Sequence, residues 1–98
     1  MAKLAIYAHL VPKPGKGKDV EALLKKGAEM AADEKGTIAW FGFKESDTSY
    51  GIFDTFDDEA AREAHLNGPI AAALMSKADE LLAEKPGIFK IEIIAEKK

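Results

Sequence analysis

Apolar residues along this chain change their spacing in a fixed order, and that order constrains the fold more than any other feature. From Lys3 to Val11, Leu4, Ile6, Ala8 and Leu10 fall at one parity, with Lys3, Tyr7 and His9 at the other, the two-residue period of a strand. Pro12, Pro14, Gly15 and Gly17 then mark a turn. Within Lys18 to Lys35 the spacing lengthens: Val20, Leu23, Leu24, Ala28 and Ala31 recur at three- and four-residue steps, which predicts a helix with Gly36 as its stop. Thr37 to Lys44 and Tyr50 to Phe56 are rich in β-branched and aromatic residues and flank the polar cluster Glu45 to Ser49, a hairpin. Asp57 is placed to cap a helix through Leu66, and Asn67-Gly68-Pro69 interrupts it. Because Pro is tolerated in a first helical turn and costs about 3 kcal/mol inside one, Pro69 begins a second segment carrying Ile70, Leu74, Ala78, Leu81 and Leu82. Lys85-Pro86-Gly87 ends that segment, and Ile88 to Ala95 returns to period two.

The order β-α-β-β-α-β predicts an α+β, ferredoxin-like fold, a four-stranded antiparallel sheet with helices on one face, as a single domain over residues 1–98. Tyr7, Ile38 or Phe41, and Phe53 place apolar side chains on the other face as well, and a second copy of the sheet is the simplest cover. A homodimer is expected. The charge balance, 14 Lys and Arg against 17 Asp and Glu, offers no basic excess for a phosphate backbone, so nucleic acid is not an expected partner. Without cysteine there is no disulfide, thiolate nucleophile or Cys-based metal site. The first apolar run stops at Val11 with no small-residue cleavage site, and no run of eighteen apolar residues exists, so neither a signal peptide nor a membrane span is expected and the predicted location is cytoplasmic.

The turn and helix VPKPGKGKDVEALLK, the closing Glu34-Lys35-Gly36-Thr37 and above all YGIFDTFDDEAAREAHLNGP resemble the antibiotic-biosynthesis monooxygenase superfamily of dimeric α/β barrels. The most specific part is the series Asp54, Phe56, Asp58, Ala61 and His65; members usually carry Glu and Trp in place of Asp54 and Phe56. The resemblance implies a homodimer whose two sheets form a barrel, with a small pocket in each subunit between sheet and helices. It also implies a range of activities: cofactor-independent oxygenation of quinols or anthrones, haem degradation, signal degradation, or none.

His65, just before the helix break, is the candidate catalytic base; the alternative is that it hydrogen-bonds the backbone freed by the kink. Trp40 and Tyr50 are candidate substrate-binding residues, because each adds a polar tip to an aromatic cluster that holds six of the eight aromatic side chains. Asn67 can orient a substrate oxygen, and Met75 joins Met30, Ile70 and Leu74 as an adaptable apolar roof. Asp54 inside a strand requires a partner such as Arg62, a Lys or a backbone amide. No HxxxH or HExxH spacing supports a metal, and no phosphate loop or dinucleotide fingerprint is present. The expected protein therefore uses no cofactor: a monooxygenase in which a deprotonated small aromatic, such as a quinol or anthrone, supplies the electrons. The alternatives are a non-catalytic small-molecule-binding or stress-response dimer and, third, a haem protein with Met75 or His65 as axial ligand.

Overall fold

The computed structural model describes residues 3–97; Met1, Ala2 and Lys98 of the expected single domain lie outside the described residues. Strand β1 (Leu4–Leu10) leads to helix α1 (Gly17–Ala31), the hairpin strands β2 (Thr37–Ser46) and β3 (Ser49–Phe56), helices α2 (Glu59–Leu66) and α3 (Pro69–Leu81), and strand β4 (Gly87–Glu92). The sheet is antiparallel throughout, in the order β2-β3-β1-β4, with the two terminal strands central and outermost as the ferredoxin-like plan requires. It is open at both β2 and β4.

One parity of each strand faces the helices. Ile6, Ala8, Leu10, Tyr50, Ile52 and Phe56 are buried there against Val20 and Leu24 of α1 and Ile70, Leu74, Ala78 and Leu81 of α3. The predicted stripes of both long helices are thus the packed ones. Gly15, with φ of 81°, turns the chain after β1, a conformation that costs a residue with a Cβ. Pro69 is in the first turn of α3, as its missing N–H allows.

Three local readings are corrected. The cap of α2 is Asp58, whose extended backbone presents Oδ1 to the Ala61 N–H at 2.8 Å, one residue later than the Asp57 expected. Helix α1 ends at Ala31 with Ala32 as its cap, so Gly36 is not its stop. Gly36 instead permits close approach of α2, since a Cβ there would lie 3.1 Å from the Cβ of Ala61. The last strand ends at Glu92 rather than Ala95, and Ile94 is 93% exposed.

The other parity makes the open face, where pairing aligns Phe41 with Phe53 and Tyr7 with both Phe53 and Phe89. Tyr7 stacks between Phe43 and Phe89 at centroid separations of 6.3 and 5.9 Å. Phe41 and Phe89 are 58% and 51% exposed, a concentration of apolar surface unusual for an isolated chain. No helix among the described residues is long and apolar enough to cross a membrane.

Candidate functional site

His65 projects from α2 into the layer between helix and sheet and is 8% exposed. Its Nε2 lies 2.9 Å from Asp54 Oδ2 on β3, and its Nδ1 lies 2.7 Å from Glu34 Oε1 in the segment after α1. Thr37 Oγ1 donates to the same Glu34 oxygen at 2.7 Å. Ionised carboxylates only accept hydrogen bonds, so both ring nitrogens donate and the ring in this geometry is an imidazolium. Burial, the largest influence, pulls the His65 pKa down; the hydrogen bonds and charges of Asp54 and Glu34 outweigh it and hold it above the ordinary 6.5. Phe56 sets its ring 5.3 Å from the imidazole.

The partner of Asp54 is therefore His65 and not Arg62. Arg62 Nη1 donates instead to the carbonyls of Ala5 at 3.2 Å and Ile91 at 3.1 Å, and Nη2 pairs with Glu59 at 2.5 Å, tying α2 to the backbones of β1 and β4. The side chain of His65 bonds the two carboxylates rather than the backbone at the Asn67-Gly68-Pro69 break.

Trp40 is the cross-strand partner of Asp54 on the helix-covered face. Its six-membered ring fills the space left by two glycines: a Cβ on Gly27 of α1 would lie 2.9 Å from Cη2, and one on Gly42 would lie 3.4 Å from Cζ3. Behind the ring is an apolar cavity of about 20 Å³, room for one water, between Met30, Ile52, Ile70 and Leu74. In front of it are two open grooves. One, of about 300 Å³, runs between the end of α1 and the start of β2, past Ala28, Ala31, Glu34 and Ile38. The other, of about 270 Å³, reaches Tyr50, Glu21 and Lys44. Trp40 walls all three.

Of the predicted site residues, Trp40 and Tyr50 thus share a groove, and Trp40 adjoins Asp54 and through it His65. Tyr50 donates to Glu21 Oε2 at 2.7 Å, a bond that raises its pKa above the ordinary 10.0. Asn67 and Met75 stand apart. Asn67 caps α2, its Nδ2 donating to the Glu63 carbonyl at 2.9 Å, and Met75 is 57% exposed on α3. A haem ligand set is not supported by these positions, because His65 has both nitrogens engaged and Met75 faces outward. Among the described residues, no group of three or more His, Asp and Glu side chains is arranged to hold a metal ion. Glu34, which the sequence marked only as part of a family-like segment and not as a site residue, lies 31 positions before His65 and becomes its neighbour only through the tertiary fold.

Residues 4–77 match the family described as antibiotic biosynthesis monooxygenase. The chain belongs to that family. The NE2512 protein of unknown function from Nitrosomonas europaea is 46% identical, with a TM-score of 0.96 over 100% of this chain and 95% of that one. The same fold at 18% identity is found in Rv0793 from Mycobacterium tuberculosis, with a TM-score of 0.86 over 99% of this chain and 100% of that one. PA3566 from Pseudomonas aeruginosa is also 18% identical, with a TM-score of 0.81 and 97% of each chain covered. No curated protein matches the sequence.

Proposed function

We propose that this family member is a cofactor-independent monooxygenase that oxidises a small electron-rich aromatic, of the quinol or anthrone kind, beside Trp40. The observation that carries the reading is the juxtaposition of Trp40, which walls both an apolar cavity and two grooves, with the buried Asp54–His65–Glu34 cluster. Such oxygenation needs a proton acceptor, donors that stabilise a phenolate, and exclusion of water, because the deprotonated substrate supplies the electrons to dioxygen. The cluster handles the proton, the Trp40 N–H is the donor, and the apolar wall keeps the site dry. A homodimer in the cytoplasm belongs to the same proposal, with the open faces of two sheets covering each other's exposed Phe41 and Phe89.

A second reading, a non-catalytic small-molecule-binding dimer, is favoured by one specific observation. Both nitrogens of His65 are occupied, so the imidazole itself is not free to accept a proton. Oxygen uptake separates the two readings. The wild type should consume dioxygen with an anthrone or a naphthoquinol well above the rate of autoxidation, and Trp40→Ala should lower that rate about 10²-fold or more. Uptake no faster than autoxidation across both substrate types would favour the binding protein.

A further inference from the structure

The open face of the sheet carries apolar side chains on all four strands, and one polar cluster interrupts it. Glu45, near the end of β2, accepts from the Tyr7 hydroxyl of β1; its Oε1 lies 2.9 Å from His9 Nδ1, and the Tyr7 hydroxyl is 3.2 Å from the same nitrogen. The Ser49 hydroxyl of β3 also supports the carboxylate. Among the described residues no other titratable side chain faces the cluster from the surrounding strands. The register partners of His9 are Gly51 on β3 and Gly87 on β4, Lys44 pairs with Asp47 at 3.3 Å, and Lys90 pairs with Glu63 of α2. The Tyr7 bond, with help from His9 and Ser49 and against burial, holds the Glu45 carboxyl below its ordinary range, and the same bond holds the Tyr7 phenol above 10.0. Near neutral pH Glu45 is therefore an anion and Tyr7 is neutral. His9 engages only Nδ1, so unlike His65 its ring keeps this geometry whether neutral or charged.

We propose that self-association through this face is proton-linked: two copies dock with each His9 protonated against its own Glu45, and the dimer weakens as those protons are lost. The inference rests on the homodimer proposed above and is independent of the oxygenation. Four strands at about 4.8 Å spacing and the seven residues of β1 at about 3.4 Å rise give a face of about 450 Å² in projection, and more over its side chains, of the order of the roughly 800 Å² per partner in a standard interface. Tyr7 is stacked between Phe43 and Phe89, so a surface that covers those rings also covers the Tyr7 hydroxyl and the carboxylate bonded to it. In an isologous pair the same patch meets itself, which encloses two Glu45 carboxylates in one interface. In the free chain, with the His9 and Glu45 side chains 36% and 28% exposed, water solvates either state of the imidazole. In the dimer an imidazolium makes each pair neutral, whereas a neutral imidazole leaves a desolvated anion, and two such anions repel. Docking therefore takes up protons. The stabilisation is complete below about pH 6.5, where an imidazole in water titrates, and is lost as pH rises through the higher midpoint of the dimer.

Sedimentation equilibrium of the full chain at constant ionic strength, from about pH 5.5 to about pH 8.5, tests the link. The dimer Kd should rise at least about tenfold across that range, since each linked proton contributes up to about tenfold per pH unit. His9→Asn keeps a donor towards Glu45 but never a charge, and it should show the weak high-pH Kd throughout. Glu45→Gln should invert the dependence, because a protonated His9 then has no anion beside it. His65 titrates on the other face in both variants, so these two changes assign the effect to the open face, and either one suffices if the other misfolds. Should the dimer be too tight to dissociate, the rate of exchange between differently labelled copies replaces Kd and should rise about tenfold or more over the same range. A wild-type dimer with the same Kd, or the same exchange rate, at both ends of the range overturns the proton link and leaves the homodimer standing. A pH dependence that survives unchanged in His9→Asn overturns the link as well, by assigning it to another group. A monomer throughout removes the homodimer and the link with it.

Discussion

The two histidines of the chain sit on opposite faces of one sheet, each beside a carboxylate, and the sheet treats them differently. On the helix-covered face His65 is enclosed between Asp54 and Glu34, with water largely excluded. On the open face His9 Nδ1 meets Glu45 Oε1 at 2.9 Å, with the His9 side chain 36% exposed. Glu45 also accepts from the Tyr7 hydroxyl, a bond that lowers the carboxyl pKa and raises that of the phenol. The residue types match and the consequences do not. Removing one partner of a desolvated pair strands the other charge in a medium that cannot solvate it, whereas water replaces a lost partner on a surface.

The largest contrast should come from deleting one carboxylate on each face. Asp54→Ala is expected to cost about 3–5 kcal/mol, because it leaves buried His65 with Glu34 alone, while Glu45→Ala should cost less than about 1 kcal/mol. Urea denaturation of the two variants checks this, and equal losses would mean that burial does not distinguish the pairs. A smaller effect sharpens the same comparison through a glycine on each face. Gly27→Ala gains about 1 kcal/mol of helix propensity but drives a methyl to 2.9 Å from the Trp40 ring, an overpacking worth about 1–3 kcal/mol, so a net loss of about 1 kcal/mol with a shifted Trp40 emission is expected. Gly51→Ala on the open face meets Phe43 at 2.5 Å and Tyr7 at 3.2 Å, but Phe43 is a half-exposed side chain whose far end can shift, so its loss should be smaller although the starting contact is closer.

Much of this arrangement was legible in the sequence. Period-two and period-3.6 spacing placed all four strands and all three helical segments, including the restart at Pro69, because each element buries a face that its own residues define. The family resemblance pointed to His65, and the aromatic hairpin pointed to Trp40 and Tyr50. What stayed hidden was pairing across the fold. Asp54 was visible as a strand carboxylate in need of a partner, but nothing local distinguishes His65 from Arg62, eleven and eight residues later in the chain and both on α2, as that partner; the turn of α2 decides, sending Arg62 towards Ala5 and Ile91. Glu34 stood in a family-like segment but gave no sign of its role, which depends on where the chain goes after α1. Asn67 and Met75 were chosen by residue type, and helix geometry directs one to its own backbone and the other to solvent.

Everything claimed for the covered face depends on His65 being a buried imidazolium clamped between two acids, and nitrogen-15 NMR of its ring across pH 5–9 tests that directly. Both ring nitrogens should be protonated at pH 6.5, with a titration midpoint above that value, the ordinary one for histidine. A raised pKa stabilises the fold fully below pH 6.5, and that contribution disappears as pH rises through the folded-state midpoint, so the melting temperature should fall across the same interval in the wild type and not in His65→Gln. A single neutral tautomer at pH 6.5, or a midpoint below it, would contradict the clamp.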